Sequence, residues 1–553
     1  MRGSISLLLG VLCLAGCGDD ESSAGASGGA AGMGGSAGQA GSSGHAGVSG
    51  GGASGGPNEL EVNLSAGPVQ GAVVDGVRAF RGIPYAKSPV GELRWKSPQP
   101  VDSWSTTLDA TKPGPQCPQL ALLSTSVTGT EDCLTVDVWS PSPAPATPRP
   151  VMVWIHGGGF TTGAGSSATF AGGHLVSRGD VVLVDVNYRL GPLGFLAHTA
   201  LTKEETSHPT SGNYGFEDQV FALQWVRDNV SAFGGDPNDV TVFGQSAGGV
   251  ATCLHLASPK SAGLFNRVVI QSGPCDLLTK PLADAEKQGA DLAAAVSCAN
   301  PTDVLGCLRG KSPDELLNAL PIKSAVVLGN GVTWGPTIDG DVLPQLPSTR
   351  IAAGNFNKVS VMTGTNADEG DVFISLGGYA SIDDAQYQTL VGEAAGLLGL
   401  DGSKVVAQYP SASFPKPADA LAEVLTDGGF VCPTRRLARA LRQQGQTVYL
   451  YHFTRGIPIP LLGGTKVWHG AELPFVFGNE SFGFSPAGQD LTLSQNMQEY
   501  WTRFASSGDP NASGAIVWPE YDATKDEHLV LDTTIAKDSG LKSSVCDFWD
   551  SLN

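Results

Sequence analysis

The stretch Val240 to Val250 reads VTVFGQSAGGV: a run of strand formers, a glycine-bracketed turn around Ser246, then small residues that open a helix. A serine on a sharp strand-to-helix turn exposes its hydroxyl at the top of a sheet, where it can attack an acyl carbon. The bare GxSxG pattern carries little weight here, because the glycine-rich N-terminal tail repeats it around Ser27, Ser36, Ser49 and Ser54. Context separates Ser246. Val240, Thr241, Val242 and Phe243 precede it as a strand, and Gly244 and Gly248 let strand and helix approach closely. Taken alone, the stretch also fits a turn serine without chemistry.

A second stretch, HGGGF at His156 to Phe160, follows the apolar run Val151 to Ile155. Successive glycines leave backbone N–H groups uncovered, and such donors stabilise the oxyanion formed when a carbonyl is attacked. A tight crossover would also use glycines there. Acyl chemistry further needs a general base and an acid to orient it, and residue types alone leave both open. Asp368 and Asp371 lie close to Glu369, and the chain holds several histidines. His156 belongs to the glycine loop and His452 lies inside an apolar run, so both read as structural.

These groups need a rigid frame. Val181 to Val186 is a nearly continuous apolar run, as in a strand buried on both faces. Phe216, Val220, Leu223, Val226 and Val230 recur at helical spacing and stop at Gly234 and Gly235, which predicts an amphipathic helix over Phe216 to Phe233. Val240 to Phe243, the helix after Ser246, Val268 to Gln271, Val359 to Thr363 and Thr447 to Phe453 continue the alternation. The pattern predicts an α/β fold with a mostly parallel sheet and helices on both faces. Functional residues then gather beyond the carboxyl ends of the strands. Asn58 to Phe80, broken by Gly67, Pro68, Asp75 and Gly76, reads as antiparallel strands at a sheet edge.

Residues 1–17 read as a targeting segment: Arg2, then an apolar stretch from Ile5 to Leu14 too short to span a bilayer, then LAGC. That ending resembles the lipobox of bacterial lipoproteins, which implies lipidation at Cys17, a lipid-anchored partner membrane and a bacterial envelope location. An ordinary secretory signal cut nearby is the alternative, and both export the chain. Residues 18–57 collapse to Gly, Ser and Ala and cannot bury enough apolar surface to offset their ordering entropy. Such a tether would span roughly 35 Å. Residues 58–553 read as one large unit. Their surroundings are acidic: 53 Asp and Glu against 33 Lys and Arg repel polyphosphate, so no nucleic acid partner is expected. Eight cysteines follow the signal segment, which in an exported chain predicts disulfides, although they allow roughly a hundred pairing schemes. Neither a CxxC pair nor an HExxH pattern occurs, so no metal or cofactor is expected.

Nine motifs fall in order along the chain: FRGIPYA (Phe80 to Ala86), EDCLTVDVW (Glu131 to Trp139), HGGGF, GNYGFEDQ (Gly212 to Gln219), FGGDP (Phe233 to Pro237), FGQSAGG, QSG (Gln271 to Gly273), GTNADEG (Gly364 to Gly370) and WHGAELPFVFG (Trp468 to Gly478). From about Leu60 to Trp549 they resemble the type-B carboxylesterase and cholinesterase family. The resemblance implies an α/β-hydrolase fold, with a large mostly parallel central sheet and a small N-terminal antiparallel sheet. It also implies a carboxylic ester hydrolase that works through an acyl-enzyme on a small-molecule ester. By it Ser246 is the nucleophile, Glu369 the triad acid and His469 the general base, with Gly158, Gly159 and Ala247 as oxyanion donors. The order Ser, Glu, His is the one α/β-hydrolases use. It further implies the disulfides Cys117–Cys133, Cys298–Cys307 and Cys432–Cys546. Cys253 and Cys275 are left over, either as a pair or as small buried residues.

Two departures stand out. Gln245 replaces the glutamate that many members carry before the nucleophile. The Cys117–Cys133 loop has no Trp, whereas cholinesterases hold a cation-binding Trp in their longer loop, and a quaternary ammonium group needs such an aromatic face. Choline esters are therefore not expected. Trp334, Phe373 and Trp468 either line the pocket or pack in the core. The rival readings are a lipase or thioesterase with the same machinery, and a noncatalytic adhesion module of the cholinesterase-like kind, which lacks triad residues.

Overall fold

The computed structural model describes residues 59–121, 124–204, 209–299, 302–320, 332–459 and 464–552. The targeting segment with Cys17 and the Gly/Ser/Ala tether lie outside them. Eleven strands form the central sheet: β1 (Ala72–Val74), β2 (Val77–Pro84), β3 (Thr135–Ser140), β4 (Arg149–Ile155), β5 (Val182–Val186), β6 (Gly235–Gln245), β7 (Arg267–Gln271), β8 (Ser360–Asn366), β9 (Val448–Phe453), β10 (Glu527–Leu531) and β11 (Ala536–Ser539). Their spatial order is β11-β10-β9-β8-β7-β6-β4-β5-β3-β2-β1. From β10 to β5 neighbours run parallel, and only the edges are antiparallel. The apolar runs of β4, β5 and β6 are buried, as strands between two helix layers must be.

Helices α2 (Tyr214–Asn229), α3 (Ala247–Ala257) and α4 (Cys432–Gln443) cover one face, while α1 (Gly173–Gly179) and α5 (Gln489–Ser507) pair on the other. The helix expected to reach Phe233 is α-helical only to Asn229. Its last turn tightens into a 3₁₀ turn, Val230–Phe233, closed by left-handed Gly234 at φ 91°. At the core, the β4–β6 register sets Trp154 beside Phe243, with ring centroids 4.8 Å apart, and Phe477 closes on both.

The N-terminal sheet is separate and small. Glu61–Asn63 pairs antiparallel with Pro68–Gln70, and a third strand, Leu108–Asp109, joins in parallel. That two-residue strand has no periodicity for a sequence reading to detect. Four disulfides close: Cys117–Cys133, Cys298–Cys307, Cys432–Cys546 and also Cys253–Cys275. Among the described residues, no helix is long and apolar enough to cross a membrane.

Candidate active site

β6 ends at Gln245 and α3 begins at Ala247, so Ser246 alone makes the turn, at φ 58° and ψ −125°. A side-chain-bearing residue held there costs on the order of 1–3 kcal/mol, and the surroundings must impose it. They do so by close backbone contact. The Ser246 amide donates to the Gln271 carbonyl at 2.9 Å. A Cβ on Gly244 would fall 2.4 Å from the Gly248 oxygen, and one on Gly248 only 2.0 Å from the Ile155 oxygen. Both glycines are thus required where strand, turn and helix meet. Gln245 is buried, and its Nε2 meets no acceptor among the described residues.

The HGGGF loop lies against this turn, since a Cβ on Gly157 would sit 2.7 Å from the Gln245 oxygen. Gly158 and Gly159 take φ values of 106° and 63°. The Gly158 carbonyl accepts the Thr161 and Thr162 amides at 3.1 and 3.0 Å, which turns the loop back on itself. The amides of Gly158, Gly159 and Ala247 donate to no acceptor among the described residues. For Ala247 this is the usual state of a helix N-terminal N–H, and it points positive dipole toward the serine turn.

Glu369 and His469 come from the loops after β8 and β9. An isolated bridge joins Asp368 to Trp468, with the Asp368 amide donating to the Val467 carbonyl at 3.0 Å. One residue further on, the two loops therefore present Glu369 and His469 side by side. His469 Nδ1 lies 2.5 Å from Glu369 Oε2. Glu369 Oε1 accepts from the Ser272 hydroxyl at 2.5 Å and the Asn366 amide at 2.7 Å. The Phe373 and Phe430 rings flank the imidazole, each with its centroid 4.9 Å away. Glu369 and His469 are wholly buried, whereas Ser246 is partly exposed. With Nδ1 donating to the carboxylate, Nε2 is the nitrogen that accepts a proton. It meets no partner among the described residues, so the Ser246 hydroxyl does not bond to it in the free chain, and such contacts often close only around substrate.

The remaining candidates turn elsewhere. Asp371 pairs with Lys466 at 3.2 Å, and Asp368 accepts the Val467 amide at 2.9 Å. His156 stacks on Tyr188, and burial lowers its pKa to about 4; burial lowers that of His452, inside β9, to about 3. Trp468 donates to the Pro458 carbonyl and packs on Phe482, Trp334 is buried, and Phe373 alone of the three aromatic candidates touches His469. Among the described residues no group of three metal-ligating side chains comes together.

Sequence reasoning missed Ser272, Glu472 and Phe430. Glu472 is buried, accepting from Asn366 Nδ2 at 2.6 Å and Gln271 Nε2 at 3.1 Å. Burial raises its pKa, and the neighbouring Glu369 raises it further. Ser272 and Glu472 both sit inside quoted motifs, QSG and WHGAELPFVFG, but residue type alone gives neither a role. Phe430 lies on a π-helical turn, Leu425–Val431, with no sequence signal beyond the paired glycines before it.

The parallel strands β4, β6 and β8 all end where these groups converge, as the chemistry of an open α/β sheet requires. The class so defined is the serine hydrolases of the α/β-hydrolase fold. Within that class, the chain belongs to the Carboxylesterase family, which it matches over residues 58–549. It is 37% identical over 493 residues to the para-nitrobenzyl esterase of Bacillus subtilis (strain 168), covering 86% of this chain and 95% of that protein. It is 35% identical over 547 residues to the acetylcholinesterase of Bungarus fasciatus, covering 90% and 87% respectively. A carboxylesterase structure from Geobacillus stearothermophilus superposes with a TM-score of 0.76 at 31% identity, over 89% of this chain and all of that one. A thermophilic para-nitrobenzyl esterase superposes at 0.77 with 33% identity, over the same shares.

Proposed function

We propose that this carboxylic ester hydrolase works through Ser246, His469 and Glu369. The observation that carries the reading is the fully buried Glu369–His469 pair, whose free Nε2 belongs to the same strand-end cluster as the strained serine turn. Ser246 Oγ attacks the ester carbonyl carbon while His469 Nε2 takes its proton. Glu369 holds Nδ1 and stabilises the imidazolium. The carbonyl oxygen becomes an oxyanion that accepts hydrogen bonds from Gly158, Gly159 and Ala247. Collapse breaks the bond to the alcohol, which leaves with the proton from His469. Water then gives a proton to His469 and attacks the acyl carbon; the bond to Ser246 Oγ breaks, His469 returns the proton to that oxygen, and the acid leaves.

Simple uncharged esters fit best. The Cys117–Cys133 loop carries no aromatic residue, and Gln245 puts an amide where a carboxylate would attract a cation. The test is hydrolysis of short-chain and long-chain nitrophenyl esters by residues 58–553. Ser246→Ala is expected to lower kcat on the order of a millionfold. A folded variant keeping a tenth of wild-type turnover refutes the assignment. Lipid anchoring at Cys17 is a separate proposal, resting on the LAGC ending. Metabolic labelling with palmitate is expected to mark the full chain and not Cys17→Ala; equal labelling of both refutes it.

A further inference from the structure

The Cys253–Cys275 disulfide occupies a place that stability alone does not explain. α3 starts at the serine turn, and Gly249 and Cys253 lie one turn apart on the same helix face. That face rests on the segment Gln271 to Cys275. A Cβ on Gly249 would come 2.6 Å from the Gln271 oxygen and 3.0 Å from the Gly273 Cα, and one on Gly273 would come 2.2 Å from the Gly249 carbonyl carbon. Backbone meets backbone there, with no side chain between. One turn further along, the sulfurs join the same two segments, with Cα atoms 5.3 Å apart. Segment 271–275 is therefore fastened to the nucleophile helix at three levels: the Ser246 amide on the Gln271 carbonyl, Gly249 on Gly273, and Cys253 to Cys275.

The same segment carries Ser272, at φ 49°, whose hydroxyl donates to Glu369 Oε1. A residue other than glycine stays in that left-handed region only when its neighbours over-determine it. The Ser272 amide is held by the Gly364 carbonyl on one side, and the bridge to α3 follows three residues later.

Resting on the triad roles above, we infer that the Cys253–Cys275 disulfide is a positioning element of the catalytic site: it fixes the distance between the helix that begins at Ser246 and the loop whose Ser272 holds Glu369. Opening it leaves only the Ser246–Gln271 hydrogen bond and the Gly249–Gly273 contact between α3 and that loop, and lets their far ends shift against each other. The nucleophile and the acid–base pair then lose register with each other, which lowers turnover more than it lowers substrate binding.

The experiment compares wild type, Cys253→Ala/Cys275→Ala, Ser272→Ala and the triple variant on p-nitrophenyl acetate, well below each unfolding midpoint, with Ser246→Ala alongside. The disulfide variant is expected to lose about ten- to a hundredfold in kcat while KM stays within about twofold. Ser272→Ala is expected to lower kcat as well, and the triple variant to fall little below the worse of its parents, because both changes act on one carboxylate. A folded disulfide variant with wild-type kcat overturns the inference, as does a triple variant in which the two losses multiply. If the alanine pair does not fold, Cys253→Ala/Cys275→Val refills the space; failure of both to fold makes the bridge a folding element and also overturns the inference. Ser246→Ala separates the two readings, since retained turnover there sinks the triad itself.

Discussion

Replacing Glu369 by glutamine tests the acid more cleanly than removing it, because the site dictates how the amide must sit. Glu369 Oε1 receives two donors, the Ser272 hydroxyl and the Asn366 backbone amide, and the latter cannot rotate away. In Glu369→Gln the amide oxygen must take that position, which turns the NH₂ toward His469 Nδ1. Nδ1 then becomes the acceptor, the ring proton moves to Nε2, and the nitrogen that should take the Ser246 proton is blocked. The expected loss is about ten-thousandfold in kcat, the cost of the wrong tautomer, with KM little changed because Glu369 touches no substrate. The Asn366 amide and the Ser272 hydroxyl keep their acceptor, and Nε2, already without a partner among the described residues, only changes from acceptor to donor, so stability is expected to change by about 1 kcal/mol or less. Glu369→Ala would instead strand the Asn366 amide and the Ser272 hydroxyl, at about 1–3 kcal/mol each, mixing misfolding into the result. The assay is nitrophenolate release at fixed pH, with Ser246→Ala as the floor and a thermal melt for each variant. A glutamine variant that melts like wild type and keeps more than about a tenth of its kcat refutes the orienting role.

The oxyanion loop makes a ranked prediction. A Cβ on Gly158 would strike the Thr162 oxygen at 2.2 Å, whereas one on Gly159 meets nothing nearer than 3.7 Å. Gly158→Ala is therefore expected to lose about a hundred- to a thousandfold in kcat, with Gly159→Ala losing distinctly less; the reverse order in steady-state kinetics refutes the loop's role. A second prediction concerns Asp137 and Asp185, which face each other across β3 and β5 and are both buried. Burial raises the Asp137 pKa to about 7, and burial, with the facing carboxyl adding to it, raises that of Asp185 well above the ordinary aspartate value. The folded protein therefore holds protons that the unfolded chain, with aspartates near 3.9, has released. Stability from this pair is complete below about pH 4 and is lost as pH rises through 7. Asp185→Asn is expected to flatten that fall, raising the melting temperature more at pH 8 than at pH 5; an equal shift at both refutes it.

The parts of this molecule legible from sequence are those with local causes. Apolar runs identified β4, β5, β6 and β9, and the glycines around Ser246 marked a turn whose need for them the backbone contacts explain. The choice of Glu369 over Asp368 and Asp371 has no local cause. It follows from tertiary placement, and sequence could reach it only through resemblance. In β8 and β9, Thr365 lies beside His452 and Asn366 beside Phe453, and the Asp368–Trp468 bridge carries that alignment into the loops. A slip of one residue between these strands would move the carboxylate about 3.3 Å along the chain and turn alternate side chains to the other face. Asp368 or Gly370 would then stand where Glu369 meets His469. The Cys253–Cys275 pairing and the Ser272 contact have the same origin: each joins residues that only the β6–β7 register and the close approach of Gly249 to Gly273 bring together. The carboxylate proposed as the acid is thus selected by strand register, and residue chemistry acts only after register has chosen which carboxylate the histidine meets.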